Sequence, residues 1–163
     1  VAAKYLGIVE SDIRKRVEAW RPCGNRGCIE TFGEQTFYID CYNANPSSMA
    51  DALDAFDRST PQNIARFYIL GAMDELGTTA PAQHEAIGNL LKLRPKDRAA
   101  FVGSKELTKA YASAISPQQY ICTESVEKIK STIAQFEGAI FLKGSRNYSL
   151  EKLLPSTNLN LNP

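Results

Sequence analysis

Histidine occurs once in this chain, as His84, and cysteine four times, as Cys23, Cys28, Cys41 and Cys122. A Ser-His-Asp or Cys-His nucleophilic site would have to be built around that one imidazole, which otherwise simply decorates a helix. A structural zinc site wants two close ligand pairs. The cysteines form one C-x4-C and two distant singles, so reduced thiols and no metal are expected. Charge of one sign is lacking too: Lys+Arg 19 against Asp+Glu 18 leaves +1. No polyanion-binding stripe follows, and nucleic acid is not expected as a partner. Apolar runs such as Ala99 to Val102 and Ala139 to Leu142 are far too short to span a bilayer, and Val1 to Leu6 carries no signal pattern. A cytoplasmic protein without a membrane partner is expected, most simply a monomer. Two nucleotide-binding signatures are absent. There is no G-x-x-x-x-G-K-[ST], because Gly103-Ser104-Lys105 lacks the earlier glycine, and no G-x-G-x-x-G, which argues against a dinucleotide redox enzyme.

What is present is an ordinary core-forming composition. The 163 residues are 44% hydrophobic and 23% charged, enough for one domain that buries roughly 70% of its unfolded surface. The chain begins at Val1 rather than at methionine, and a fragment of a longer protein is the expectation.

Val1 to Arg21 reads as helix, with Ser11 or Asp12 capping a second helix through Ile13, Val17 and Trp20, and Pro22 ending it. Cys28 to Phe32 and Thr36 to Asp40 read as two strands around a Gly33-Glu34-Gln35 turn. From there strand and helix patterns alternate. Ser48 with Asp51 forms a capping box before Met49, Leu53 and Phe56. Strands are expected at Arg66 to Leu70, Ala99 to Val102, Gln119 to Cys122 and Ala139 to Leu142. Helices are expected around His84, Ile87 and Leu91, over Lys105 to Ala114, and along Val126, Ile129, Ile133 and Phe136. A last turn or two covers Leu150 to Leu154. The alternation predicts an α/β fold: a Rossmann-like open, mostly parallel sheet flanked by helices, with a β-hairpin at its start. Ligands in such sheets collect beyond the carboxyl ends of strands.

Three polar clusters fall at those ends. Asp40-Cys41-Tyr42-Asn43-Ala44-Asn45-Pro46 offers a carboxylate that can accept from paired ribose hydroxyls, and equally forms a well-behaved turn. Lys143-Gly144-Ser145-Arg146 offers two cations, a hydroxyl and a close-approach glycine, suited to a carboxylate or phosphate, or to a solvated loop. Gly71-Ala72-Met73-Asp74-Glu75-Leu76-Gly77 offers paired carboxylates for acid–base work or metal, or simply the acidity of a helix start.

Taken in order, the clusters resemble the carboxyl-terminal domain of the Mur ligases. Asp40 to Met49 is similar to the family pattern D-x-Y-N-A-N-P-x-S-M. Ile69 to Gly77, with His84 and Ile87-Gly88 beyond it, is similar to I-L-G-D-M-x-E-L-G and H-x-x-I-G. Leu142-Lys143-Gly144-Ser145-Arg146 with Leu150-Glu151 is similar to V-K-G-S-R and L-E. Arg21-Pro22 and Arg26 resemble the R-P-x-x-G-R that joins the last two domains. The likeness runs from about Arg21 to Leu154, and the first motif is specific within the family. Three positions depart from it: Ala72 stands where Asp is usual, Ile39 replaces the first of two aspartates, and Asn25 occupies the hinge glycine.

The resemblance is nearest to the branch that joins D-alanyl-D-alanine to UDP-N-acetylmuramoyl-tripeptide in peptidoglycan synthesis. It implies that ATP phosphorylates the tripeptide carboxylate and that the dipeptide amine attacks the acyl phosphate, with Mg2+ neutralising the transferring group. By the same resemblance, residues 1–22 end a central ATPase domain and hinge, 23–155 form the carboxyl-terminal Rossmann-like domain, and 156–163 are a flexible tail. The amino-terminal and central domains would be its partners, holding the P-loop, most of the Mg2+ site and the uridine. This chain would be a lid, inactive alone and with no catalytic or metal-binding residue of its own. Asp40 would hold the ribose of ATP, Tyr42, Asn43 and Asn45 would line the adenine, and Arg26 would reach phosphate. Ser145 and Arg146 are candidates for the dipeptide carboxylate, Lys143 for either anion, and His84, Asp74 and Glu75 for supporting roles. Two other readings stay open: a stand-alone nucleotide- or muropeptide-binding module, and a sister amide ligase with another amino substrate.

Overall fold

The structure is a computed structural model that describes residues 2–20, 22 and 24–155. The expectations attached to Val1, Arg21, Cys23 and the tail at 156–163 lie outside the described residues. Six strands form one sheet: β1 (Arg26–Phe32), β2 (Gln35–Asp40), β3 (Arg66–Gly71), β4 (Arg98–Val102), β5 (Tyr120–Thr123) and β6 (Gly138–Lys143). Their order is β1-β2-β6-β3-β4-β5. The β1–β2 hairpin is antiparallel and the other four pairings are parallel. The expected hairpin and parallel sheet are both there.

Helices α1 (Ala2–Tyr5) and α2 (Glu10–Ala19) precede the sheet and bury no residue. Helices α3 (Pro46–Ser59), α4 (Ala80–Gly88) and α5 (Lys105–Tyr111) connect β2 to β3, β3 to β4 and β4 to β5. Their apolar residues, Met49, Leu53, Phe56, Ile87 and Tyr111, pack with Tyr68, Leu70, Phe101 and Phe141 on one face of the sheet. A 3-10 turn at Val126–Ile129, helix α6 (Lys130–Ala134) and a 3-10 turn at Leu150–Leu153 cover the other face. There Val126, Ile129, Ile133, Leu150 and Leu153 meet Phe37, Ile39, Phe67, Ile69, Ile140 and Leu142. Odd and even strand residues thus divide between two cores, as the period of two requires. Right-handed crossovers account for the layering: successive steps toward β5 place helices on one face, and the return step to β6 uses the other.

Local details differ from the sequence reading. Helix α3 is capped by Asn45, whose side chain accepts from the Ser48 N–H while Ser48 Oγ accepts from the Asn45 N–H. The Ser48–Asp51 box is not formed, because Pro46 takes the first helical position and starts the helix earlier. Ser11 and Asp12 lie inside α2, whose cap residue is Val9. Helix α5 stops at Tyr111 rather than Ala114, and the stripe from Val126 to Phe136 is split into the 3-10 turn and α6. No helix among the described residues is long and apolar enough to cross a membrane.

Candidate functional site

The β6 strand sits between β2 and β3, yet its outgoing loop runs to the α6 face while theirs run to the α3 face. Where loops part in this way, open α/β sheets bind their ligands at the carboxyl ends of the strands. All three polar clusters of the sequence end there, after Asp40 of β2, Gly71 of β3 and Lys143 of β6.

Register builds a row of charge at this end of the sheet. Arg26 pairs with Asp40 across β1 and β2, and Asp40 pairs with Lys143 across β2 and β6. Directly paired residues share a face of the sheet, so cation, anion and cation stand in a row. The Lys143 ammonium is only 2% exposed and donates to Asp40 Oδ2 and, at 3.3 Å, to the Asn43 carbonyl. Asp40 Oδ1 takes no hydrogen bond among the described residues and faces a partly open surface, 22% exposed.

Tyr42 lies above that row, 41% exposed. The Arg26 guanidinium carbon is 3.8 Å from its ring centroid and that of Arg146 is 5.6 Å away. The ring quadrupole holds both cations near one aromatic platform. Neither guanidinium pairs with a carboxylate among the described residues, so both remain available to an anion. Asn43 accepts the Ala44 N–H at 2.8 Å, and Asn45 is committed to the α3 cap.

The β3 and β6 loops are pressed together. A Cβ on Gly144 would stand 2.5 Å from Gly71 Cα, so the two backbones touch where a side chain would part them. The Ser145 N–H donates to the Ala72 carbonyl at 3.2 Å, and the Ala72 N–H donates to Val102 at 2.8 Å. Ala72 is fully buried, and its Cβ would lie 2.8 Å from a Cβ placed on Gly103. Asp74 Oδ2 accepts from Ser145 Oγ and, at 2.7 Å, from Asn147 Nδ2. Glu75 is exposed at φ 62 and joins neither the carboxylate nor the loop.

His84 is buried. Its Nε2 accepts the Met73 N–H at 2.9 Å, and Nδ1 lies 2.6 Å from the Ala80 carbonyl, which makes Nδ1 the protonated nitrogen. Burial lowers its pKa below the ordinary imidazole value. It is a brace between α4 and the β3 loop. Burial, with Glu151 and Asp40 nearby, pushes the Cys41 thiol up to about 12, so it is no nucleophile. Among the described residues no group of three His, Cys, Asp or Glu could hold a metal ion.

Sequence reasoning thus named most of the cluster, but it missed Asn147, Tyr148 and the Gly71–Gly144 contact. Tyr148 packs beside Gly71, and its phenol is raised by burial and then by Asp74. Only the adjacency of both residues to Arg146 could have pointed to them. A separate cavity of about 340 Å³ opens toward the other end of β2 and β6, between Ile29, Tyr38, Phe56 and Ile64, and touches none of these groups.

Comparison with known proteins follows the same residues. The family model described as "Mur ligase, glutamate ligase domain" matches 28–146. A UDP-N-acetylmuramoyl-tripeptide–D-alanyl-D-alanine ligase of Treponema pallidum is 28% identical over 159 residues, covering 94% of this chain and 34% of that protein. A solved UDP-N-acetylmuramoylalanyl-D-glutamyl-2,6-diaminopimelate–D-alanyl-D-alanyl ligase of Acinetobacter baumannii is 26% identical, with a TM-score of 0.73 over 93% of this chain and 32% of its own. A MurF ligase of Thermotoga maritima, solved with ADP, superposes with a TM-score of 0.74 at 20% identity, over 93% of this chain and 34% of its own, and speaks to the fold alone. The chain spans about a third of the length of these relatives.

Proposed function

This chain belongs to the Mur ligase family, and from that premise we propose that it is the carboxyl-terminal lid of a ligase joining D-alanyl-D-alanine to UDP-N-acetylmuramoyl-tripeptide. The observation that carries the reading is the row Arg26, Asp40 and Lys143 beneath Tyr42 at the carboxyl ends of the strands. A nucleoside triphosphate presents paired ribose hydroxyls, a flat base and a polyanion. The row offers one acceptor, one aromatic face and one unpaired guanidinium in matching order.

In this reading Asp40 Oδ1 accepts from the ribose, Tyr42 and Asn43 flank the base, and Arg26 leaves the Tyr42 ring to meet phosphate. Asn45 contributes by fixing the start of α3, which follows directly on the Tyr42 loop. Lys143 serves Asp40 rather than a substrate anion, because its buried ammonium already has two partners. Arg146 takes the carboxylate of the incoming dipeptide, bidentately. ATP fits the donors and acceptors present. The described residues present no group of three His, Cys, Asp or Glu, and we assign Mg2+ to the segments that the relatives carry beyond this length. The same segments would supply the P-loop that this sequence lacks, with residues 1–22 as the connection. The reaction class is ATP-dependent amide formation through an acyl phosphate, in which this lid positions ATP and amine and excludes water.

The test is phosphate release by the longer protein with ATP, Mg2+ and the UDP-linked tripeptide, with and without D-alanyl-D-alanine. The expected result is dipeptide-dependent release that collapses in Asp40→Ala and in Arg146→Ala. Release driven instead by a free amino acid would move the chain to a sister ligase. No release with any amine would leave a binding module.

A further inference from the structure

The loop that carries Arg146 is held by one carboxylate from another strand. Asp74, in the β3 loop, accepts from the side chains on both sides of Arg146: the Ser145 hydroxyl and, at 2.7 Å, the Asn147 amide. Asp74 is itself fixed from behind, because its neighbour Met73 donates its N–H to the buried His84 ring, and that ring donates to Ala80 of α4. Backbone contact reinforces the seat, through the Ser145 N–H to Ala72 and the Gly71–Gly144 approach. Arg146 by contrast is exposed, bonds no carboxylate among the described residues, and reaches only the Tyr42 ring.

An exposed arginine on a mobile loop would lose much of its binding strength in ordering itself. Pinning the residues on either side removes that loss before the ligand arrives, which is how a supporting shell sharpens a site. We infer that Asp74 is a positioning residue: it holds residues 145–147 so that the Arg146 guanidinium is presented to the carboxylate of the incoming amine substrate. Asp74 itself touches no substrate. The inference rests on the assignment of Arg146 made above.

The experiment uses the longer ligase and compares KM for D-alanyl-D-alanine with KM for ATP. Asp74→Ala removes the single oxygen, Oδ2, that accepts from both Ser145 Oγ and Asn147 Nδ2, and KM for the dipeptide is expected to rise about tenfold with KM for ATP unchanged. Asp74→Asn, whose carboxamide oxygen can take the place of Oδ2, is expected to hold the dipeptide KM near that of the unaltered protein. Asn147→Ala is expected to raise it by less than Asp74→Ala, which covers the case of an Asp74 variant that does not fold. Backbone amides at 145–149 are expected to exchange faster in Asp74→Ala. An unchanged dipeptide KM in Asp74→Ala, an equal rise for ATP, or the same rise in Asp74→Asn would overturn the inference alone. Absence of dipeptide-dependent turnover in the unaltered protein would overturn the ligase reading and the inference with it.

Discussion

Lys143 and Asp40 are neighbours in the parallel register of β6 and β2, on one face of the sheet, and the ammonium of the first donates to the carboxylate of the second. Their burial is unequal, 2% against 22% exposed, and the consequences of breaking the pair are unequal too. Asp40→Ala leaves a buried ammonium with only the Asn43 carbonyl, at an expected cost of about 3 kcal/mol. Lys143→Met leaves a carboxylate that water can still reach, and is expected to cost roughly 1 kcal/mol. Urea denaturation of the two variants checks the order.

Gly144→Ala is expected to destabilise by about 3 kcal/mol, at the upper end for overpacking, because the new methyl meets backbone rather than a side chain that can rotate away. Gly33→Ala provides a control of another kind, since nothing lies within 4 Å there and only its φ of 58 resists the change. Thermal melts should show the larger loss at Gly144.

Acidification tests His84. Its folded pKa lies below the ordinary 6.5, chiefly through burial, with the Ala80 carbonyl and Asp74 pulling weakly the other way. The neighbouring Tyr111 ring adds no charge. Below that ordinary value the unfolded chain takes up a proton that the buried ring refuses, so stability is whole above it and erodes as pH falls toward the folded value. The melting temperature of the native chain should therefore drop between pH 7 and 5 more steeply than that of His84→Gln. Asp97, also lowered in pKa despite its burial because Arg94 and backbone N–H groups bond it, titrates further down and leaves the comparison clean.

Asn45 separates a structural role from a binding one. Asn45→Ala removes the acceptor for the Ser48 N–H and is expected to cost about 1 kcal/mol. Asn45→Asp keeps the cap and gains from the helix dipole, so stability should hold. A rise in KM for ATP in Asn45→Asp at unchanged stability would show that the side chain also meets the base, and equal KM values that it only caps.

How much of this was legible in the residues can be judged strand by strand. Phe37 and Ile39 specify a strand because the pleat has a period of two, and the unbroken apolar run Ala139 to Leu142 specifies one buried on both faces. Met49, Ala52, Leu53 and Phe56 specify a helix because they fall on one face at a period of 3.6. The alternation of the two periods dictated a parallel sheet, and that in turn located the polar clusters at its carboxyl end. Motif order added the family.

Local pattern, however, is blind to partners far along the chain. Asp40 and Lys143 are 103 residues apart and Asp74 and Ser145 are 71 apart, so nothing in their neighbourhoods states that they meet. Strand order brought β6 between β2 and β3, and register then decided that Lys143 serves a carboxylate inside the protein, while Arg146 meets the Tyr42 ring and no carboxylate among the described residues. The sequence determined which elements form and which chemistry gathers at their ends. Only the tertiary structure decided which of those groups are already paired, because pairing depends on long-range register and burial rather than on local propensity.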